Sequence, residues 1–219
     1  MTDVAPPAAE VVFGAGLPVA VAYAGMLAEH GVERGLIGPR EVDRLWDRHL
    51  LNSAVLGELL PRKARVVDVG SGAGLPGVPI AIARPDLTLT LLEPMARRVE
   101  WLEHVVGALG LHVAVIRGRA EEPTIKRRLG GADVVIARAV APLAKLCGWS
   151  LPLLRPGGSL IAMKGASAAD EIARDRQAVL RVGGGEPRIE TCGVDVLAEP
   201  ATAVIVARAD GGRKTRKDR

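Results

Sequence analysis

One stretch of ten residues constrains this chain more than any other. A short apolar run, A-R-V-V-D-V-G over 64–70, ends in D-V-G-S-G-A-G-L-P-G over 68–77. Four glycines directly after a strand-like segment, followed by helix-forming residues, demand a strand, a tight turn and a helix in that order. Downstream, strand-like and helix-like segments alternate. L-T-L-T-L-L-E (87–93) precedes a helical pattern at 95–109, and H-V-A-V-I-R-G (112–118) precedes one at 120–129. A-D-V-V-I-A-R (132–138) precedes 142–154, and G-S-L-I-A-M-K-G (158–165) precedes 167–182. Two further strand candidates, 188–192 and 202–208, have only a short loop between them. Regular alternation with continuous apolar strands predicts a mostly parallel, doubly wound α/β sheet covered on both faces. The closing pair predicts one antiparallel strand near the C-terminus. The organisation expected is an N-terminal helical extension over 1–60, a cofactor-binding domain over 61–210 and a basic tail over 211–219.

Ligands of open α/β sheets bind at the carboxyl ends of the strands, where the strand order reverses. Gly72-x-Gly74-x-x-Gly77 alone reads as a loose dinucleotide fingerprint. Two features turn the reading toward S-adenosylmethionine. Asp68 stands two residues before Gly70, and a carboxylate there can hold the loop or meet the ammonium of a bound amino acid. Beside a pyrophosphate it would only repel. Pro76 and Pro79 remove backbone donors from the first helical turn, which a pyrophosphate would need. Glu93 closes the second strand, 19 residues after Gly74, where it can accept ribose hydroxyls. That last feature is shared by nicotinamide-dinucleotide binders and does not discriminate.

Other classes fall away on composition. The aromatics are Phe13, Tyr23, Trp46, Trp101 and Trp149, too scattered to form a stacking platform for bases. Cys147 and Cys192 lie 45 residues apart without ligand spacing, so neither a disulfide framework nor a zinc finger is expected, and no other metal site. The net charge is +4, from 29 basic and 25 acidic residues. Five of those basic residues and one acid lie in the last nine positions, so the rest of the chain is neutral with 24 of each. The uncharged run 11–28 is long enough for a membrane span, but its Gly, Pro and Ala content and the absence of an earlier basic residue argue against one. Phe13, Leu17, Val21, Ala24 and Leu27 recur at helical spacing, which predicts an amphipathic helix lying on the domain. The expected compartment is the cytoplasm. Pro39 opens a second helix with Val42, Leu45, Trp46, His49 and Leu56 along one side. Arg40, Arg44 and Arg48 form a stripe on it, either a solvated face or a ridge for phosphates.

From about 40 to 172 the chain resembles the RsmG/GidB family of bacterial 16S rRNA (guanine-N7) methyltransferases. The segments that carry the resemblance are D-R-H-L-L-N-S (47–53), V-V-D-V-G-S-G-A-G-L-P-G-V-P (66–79), R-P-D-L-T-L-T-L-L-E (84–93), R-G-R-A-E-E (117–122), I-A-R-A-V-A (136–141) and M-K-G (163–165). The L-P-G-x-P continuation of the loop is the specific part, because most class I methyltransferases lack it. The resemblance implies a class I, Rossmann-like fold with S-adenosylmethionine as cofactor. Gly70, Ser71, Gly72, Gly74 and Leu75 would line its methionine and ribose side. Glu93 would hold the ribose, and Ala120 and Glu121 would bracket the adenine. Arg138 would reach the cofactor and the transfer zone, and Arg138 and Lys164 would grip O6 or phosphate groups of the target rather than stack on its ring. The bland alternative for Arg138 is a salt bridge to Asp68 or Glu93. His49 and Asn52 would face the RNA together with the arginine stripe. The implied partner is 16S rRNA, in the 30S subunit or an assembly intermediate, met by a monomer with no membrane involved.

The chemistry is narrowed by what the motifs lack. The position after the fourth strand reads A-R-A-V-A-P, not the N/D-P-P-Y/F loop usual for amine methylation. Carbon methylation of a pyrimidine needs a thiolate, and both cysteines sit in patterns typical of small buried residues. Guanine N7 has a free in-plane lone pair and no proton, so in-line transfer needs no general base. The rival readings are a class I methyltransferase for another RNA or a small molecule, or an RNA-binding factor with a vestigial cofactor loop.

RNA affinity should fall with salt, with a log–log slope of about −0.7 per phosphate contact for single strands. The candidate contacts are the arginine stripe, the run Lys126-Arg127-Arg128 and the tail. Replacing Arg40, Arg44 and Arg48 with Gln is expected to flatten that slope by about 2 units. Deleting residues 211–219 is expected to leave methylation nearly intact. A salt series on both variants checks this; a slope flattened by the deletion and not by the Gln variant reverses the assignment.

Overall fold

The structure is a computed structural model and describes residues 4–209. Seven strands make one sheet: β1 (Arg65–Val69), β2 (Thr88–Glu93), β3 (Ala114–Arg117), β4 (Ala132–Arg138), β5 (Leu154–Lys164), β6 (Arg188–Cys192) and β7 (Ala201–Ala207). Their order is β3-β2-β1-β4-β5-β7-β6. Every pairing from β3 to β5 is parallel, whereas β7 runs antiparallel to both β5 and β6. The expected mostly parallel sheet with one reversed strand is therefore what forms. The order reverses between β1 and β4, which places a crevice at their carboxyl ends.

The helices are α1 (Pro7–Phe13), α2 (Leu17–His30), a single turn α3 (Asn52–Ala54), α4 (Gly77–Ala83), α5 (Ala96–Ala108), α6 (Pro123–Leu129), α7 (Leu143–Ser150) and α8 (Ala168–Arg181). Strand side chains alternate between two cores, as the period of two requires. Val66, Leu91, Val134, Ile136, Ile161 and Ile205 face one side, packed with α4 and α5. Val67, Leu92, Val135, Leu160, Val204 and Val206 face the other, packed with α6, α7 and α8. The helix α4 packs on β2, and α5 on β2 and β3. The apolar face of β4, β5 and β7 on their side would stay wet without the N-terminal segment, whose Phe13, Leu27, Leu50, Leu51 and Leu56 join that core.

Two sequence expectations need correcting here. The segment 7–30 is long and apolar enough to cross a membrane by length and composition. In the fold Ala9, Phe13, Ala20, Tyr23, Ala24 and Leu27 are buried as α1 and α2 pack against α4 and residues 45–51, but Val21 is 46% exposed. A 3₁₀ turn at Gly14–Gly16 separates α1 from α2 and shifts the helical phase, so a stripe counted through it points the wrong way. The helix expected from Pro39 is not regular either. It runs as a 3₁₀ turn (Pro39–Arg44), a π-helical stretch (Leu45–Leu51), the turn α3 and a further 3₁₀ turn (Val55–Leu59). Leu45, Trp46, His49, Leu50 and Leu51 are all buried, a wider face than one α-helical stripe supplies.

The N-terminal segment also supports the glycine loop from beneath. Tyr23 Oη donates to the Ala73 carbonyl at 2.9 Å, and Trp101 Nε1 of α5 donates to the same oxygen at 2.8 Å. Both side chains are completely buried. Removing one donor leaves the carbonyl satisfied and is expected to cost about 1 kcal/mol for the hydrogen bond itself. Removing both strands a buried acceptor. Tyr23→Phe combined with Trp101→Phe should therefore cost about 1 kcal/mol more than the two single changes together. Urea unfolding of the three variants measures this; strictly additive costs would show that the two donors act independently.

Candidate functional site

Two buried carboxylates shape the loop after β1. Asp68, fully buried, accepts the Gly77 N–H on Oδ2 at 3.1 Å, and its carbonyl accepts Ser71 Oγ–H at 3.0 Å. Glu93, 1% exposed, accepts the Gly72 N–H on Oε2 at 2.9 Å and the Met95 N–H on Oε1 at 3.0 Å. Arg98 Nη1 stands 4.0 Å from Glu93 Oε1. Each Glu93 oxygen keeps lone-pair capacity for a further donor. Gly74 is required as glycine: its φ is +107°, and a Cβ there would lie 2.8 Å from Tyr23 Oη. Asp68 Oδ1 is buried with no hydrogen-bond partner among the described residues.

The start of α4 offers no free donor to a phosphate. Pro76 and Pro79 carry no N–H. The Gly77 N–H is taken by Asp68 and the Val78 N–H by the Gly74 carbonyl at 2.7 Å. An anion placed there would instead meet two buried carboxylates.

A cleft of about 150 Å³ opens at the carboxyl ends of the strands beside this loop. Val69, Gly70, Leu92, Pro94, Gly118, Ala120, Glu121, Val140 and Trp149 are on its walls. That is below the roughly 300 Å³ at which drug-sized pockets begin, so it fits one end of a ligand such as a single flat ring. The loop glycine Gly70 and the pair Ala120 and Glu121, singled out from the sequence, thus share one cavity. Trp149 was missed. Its pattern reads only as helix, and the one local hint is Lys145 four residues earlier, whose ammonium lies 5.0 Å above the indole.

Arg138, the last residue of β4, does not pair with Asp68 or Glu93. Its guanidinium reaches the π-helical segment instead. Nη1 donates to Ser53 Oγ at 3.1 Å and to the His49 carbonyl at 3.5 Å, and Nη2 donates to the Arg48 carbonyl at 3.2 Å and to His49 Nδ1 at 2.6 Å. On its other side His49 Nε2 lies 2.7 Å from Glu41 Oε2. A guanidinium only donates, so Nδ1 is bare and the imidazole proton sits on Nε2, pointing at Glu41. Burial, then the Arg138 charge, lowers the His49 pKa from its ordinary value, which agrees with a neutral ring. His49 is 7% exposed and faces Arg138, although the sequence reading placed it toward RNA. Ala139 follows in the left-handed region at φ +52°, uncommon without glycine, and turns the chain sharply after Arg138.

The remaining sequence candidates are dispersed. Lys164 Nζ pairs with Glu171 Oε1 at 2.9 Å and donates to the Ala141 carbonyl at 3.2 Å. The same Glu171 oxygen accepts the Leu143 N–H at 2.7 Å. Lys164 thereby braces the 139–142 turn rather than projecting freely. Asn52 is half-buried, with Oδ1 buried and unpartnered among the described residues. Arg40, Arg44 and Arg48 are exposed; Arg48 approaches Glu41 at 3.5 Å, and the other two have no carboxylate within 4.0 Å among the described residues. Both cysteines are buried, and burial pushes their thiols up to about 12 for Cys147 and about 11 for Cys192. Neither is a thiolate at neutral pH. The basic tail, residues 211–219, lies outside the described residues.

The family described as rRNA small subunit methyltransferase G (GidB) matches residues 17–195. A protein named ribosomal RNA small subunit methyltransferase G from Mycobacterium marinum is 56% identical over 210 residues, covering 96% of this chain and 92% of its own length. Proteins of the same name from Rhodococcus jostii and Corynebacterium jeikeium are 56% and 54% identical, covering 95% and 93% of this chain and 92% and 91% of their own. Among solved structures, a Pyrococcus furiosus methyltransferase superposes with a TM-score of 0.55 at 15% identity, over 71% of this chain and 80% of its own. The Methanococcus jannaschii TYW2 complex with S-adenosylmethionine superposes with a TM-score of 0.53 at 16% identity, over 74% and 76%. These two likenesses concern the fold.

Burial pushes the Asp68 carboxyl up to about 7. In the unfolded chain it titrates at about 3.9. Between these values the folded chain holds a proton that the unfolded chain has released, so this group makes stability fall as pH rises. Asp68→Asn carries no such dependence. Its melting temperature relative to the parent is expected to climb between about pH 5 and about pH 8. Parallel curves across that range would contradict the assignment.

Proposed function

The chain belongs to the rRNA small subunit methyltransferase G family and is a methyltransferase of ribosomal RNA; from that premise we propose that it transfers a methyl group from S-adenosylmethionine to N7 of one guanine in 16S rRNA. The observation that carries the cofactor reading is the accounting of donors at the start of α4. A nucleotide pyrophosphate would need those N–H groups, and the two prolines and Asp68 leave none. A phosphate-free cofactor with an ammonium and a ribose suits the same site. The orphaned Asp68 Oδ1 is an acceptor that an ammonium satisfies. Glu93 has lone pairs left for ribose hydroxyls, Gly70 and Leu75 line the methionine and ribose side, and Ala120, Glu121 and Trp149 wall the adenine end.

When bound, the cofactor supplies an electrophilic methyl on a sulfonium. The residues of this chain have no proton to remove, because guanine N7 presents a bare lone pair in the ring plane. Their work is positioning: holding two reactants in line can contribute about 7–11 kcal/mol of barrier lowering in well-oriented systems. Arg138 is fixed at the end of β4 with both Nη groups engaged by Ser53, His49 and Arg48, which leaves its Nε–H and its positive charge for O6 or a phosphate, without stacking on a ring that becomes cationic. Lys164 contributes by bracing the 139–142 turn. The absence of the amine-methylating loop and the buried thiols support N7 over amine and carbon acceptors. The acting unit is a monomer. The substrate form is the 30S subunit or an assembly intermediate, met in the cytoplasm; two free thiols fit a reducing compartment.

Transfer of labelled methyl from S-adenosylmethionine to 16S rRNA, naked and in 30S particles, tests this directly. The label should map to one guanine and should sensitise its strand to cleavage after reduction, as N7 alkylation does. Label on an exocyclic amine or a ring carbon would overturn the N7 reading.

A further inference from the structure

We propose that Glu41 and His49 are positioning residues for Arg138: Glu41 holds the Nε2 proton of His49, and the bare Nδ1 then fixes the guanidinium at the end of β4. This rests on the reading above that Arg138 serves the transfer zone. It assigns a role to Glu41, which no motif marks, and a different role to His49 than RNA contact.

Arg138 leaves β4 beside Ala139, whose left-handed backbone turns the chain away, so nothing on its own strand orients the guanidinium. Its partners come from 85 to 90 residues earlier: Ser53 Oγ, the Arg48 and His49 carbonyls and His49 Nδ1. The last contact, at 2.6 Å, is the shortest of the four. It exists in only one of the two neutral tautomers of His49. A carboxylate on Nε2 at 2.7 Å, with no competing donor role, selects that tautomer. The irregular helix makes this possible: Glu41 lies on the 3₁₀ turn and His49 on the π-helical stretch that follows, and together they bring a carboxylate back onto a ring eight residues later. The charged or titratable groups facing His49 are Glu41, Arg48 and Arg138; those facing Arg138 also include Tyr23 of α2.

Protonating His49 would put a proton on Nδ1, consuming the lone pair that accepts from Arg138 and setting two cations against each other. Turnover should therefore fall on the acid side, with a midpoint below the ordinary imidazole value, because burial and Arg138 depress this pKa. The Glu41 carboxylate raises it, so removing that charge should move the acid limb to still lower pH.

The experiment compares Glu41→Ala, Glu41→Gln and Arg138→Gln in methyl transfer to 30S particles, with kcat and KM measured across pH, and reads the His49 ring nitrogens by NMR. Glu41→Ala is expected to lose kcat on the order of tenfold at neutral pH, as for one charge-assisted hydrogen bond. KM for the cofactor should hold. Gln, whose Oε1 still accepts from Nε2–H, should recover most of that loss, and both variants should shift the acid limb downward. In the parent at neutral pH the NMR should show protonated Nε2 and bare Nδ1, and Glu41→Ala should mix the tautomers. If Arg138→Gln is impaired but Glu41→Ala keeps the parental kcat, acid limb and ring signals, the positioning role falls and the reading of Arg138 stands. If Arg138→Gln turns over like the parent, that reading falls and the proposal with it. A loss of melting temperature alone, without a moved limb or mixed tautomers, would mark Glu41 as structural and also overturn the proposal.

Discussion

Two backbone N–H groups bound to two buried carboxylates set the shape of this site. Gly72 N–H on Glu93 and Gly77 N–H on Asp68 fold the glycine loop back over the ends of β1 and β2. A buried carboxylate without partners is costly, so each acid needs the loop as much as the loop needs the acid. One consequence is chemical. The donors at the start of α4 that a phosphate would use are spent within the protein. The crevice is thereby suited to a ligand with an ammonium and sugar hydroxyls.

The N-terminal segment is part of that arrangement. It covers the half of one sheet face that α4 and α5 leave bare, supports the loop through Tyr23 and Ala73, and seats Arg138 through Arg48, His49 and Ser53. Sheet, loop and segment thus meet at one end of the strands. A change in the packing of α2 reaches the floor of the loop through one hydrogen bond. A change in the 39–59 segment reaches the guanidinium at the end of β4 through four.

Much of the fold was legible because its signals are local. Continuous apolar runs mark β1, β2, β4, β5 and β7, and the glycines mark the first turn. The short loop before the last strand marks the reversed direction. Glu93 could be placed at the end of β2 by counting. What was not legible depends on distance or on broken periodicity. The 3₁₀ turn at Gly14–Gly16 turned Val21 outward, and the π-helical stretch widened the buried face of the second helical segment. No spacing rule links Arg138 to Ser53 or Lys164 to Glu171, and nothing in the sequence turns Trp149 toward the cleft. Arg138 was expected near Asp68 or Glu93 if it was structural; its partners are instead carbonyls, a hydroxyl and an imidazole on a distant segment.

Calorimetric titration of the chain with S-adenosylmethionine and with NAD, alongside a Glu93→Ala variant, tests whether the loop and its two carboxylates hold a phosphate-free cofactor. The parent should bind S-adenosylmethionine, the variant should lose affinity on the order of tenfold or more, and neither should bind NAD. Binding of NAD by the parent, or equal affinity of parent and variant for S-adenosylmethionine, would contradict it.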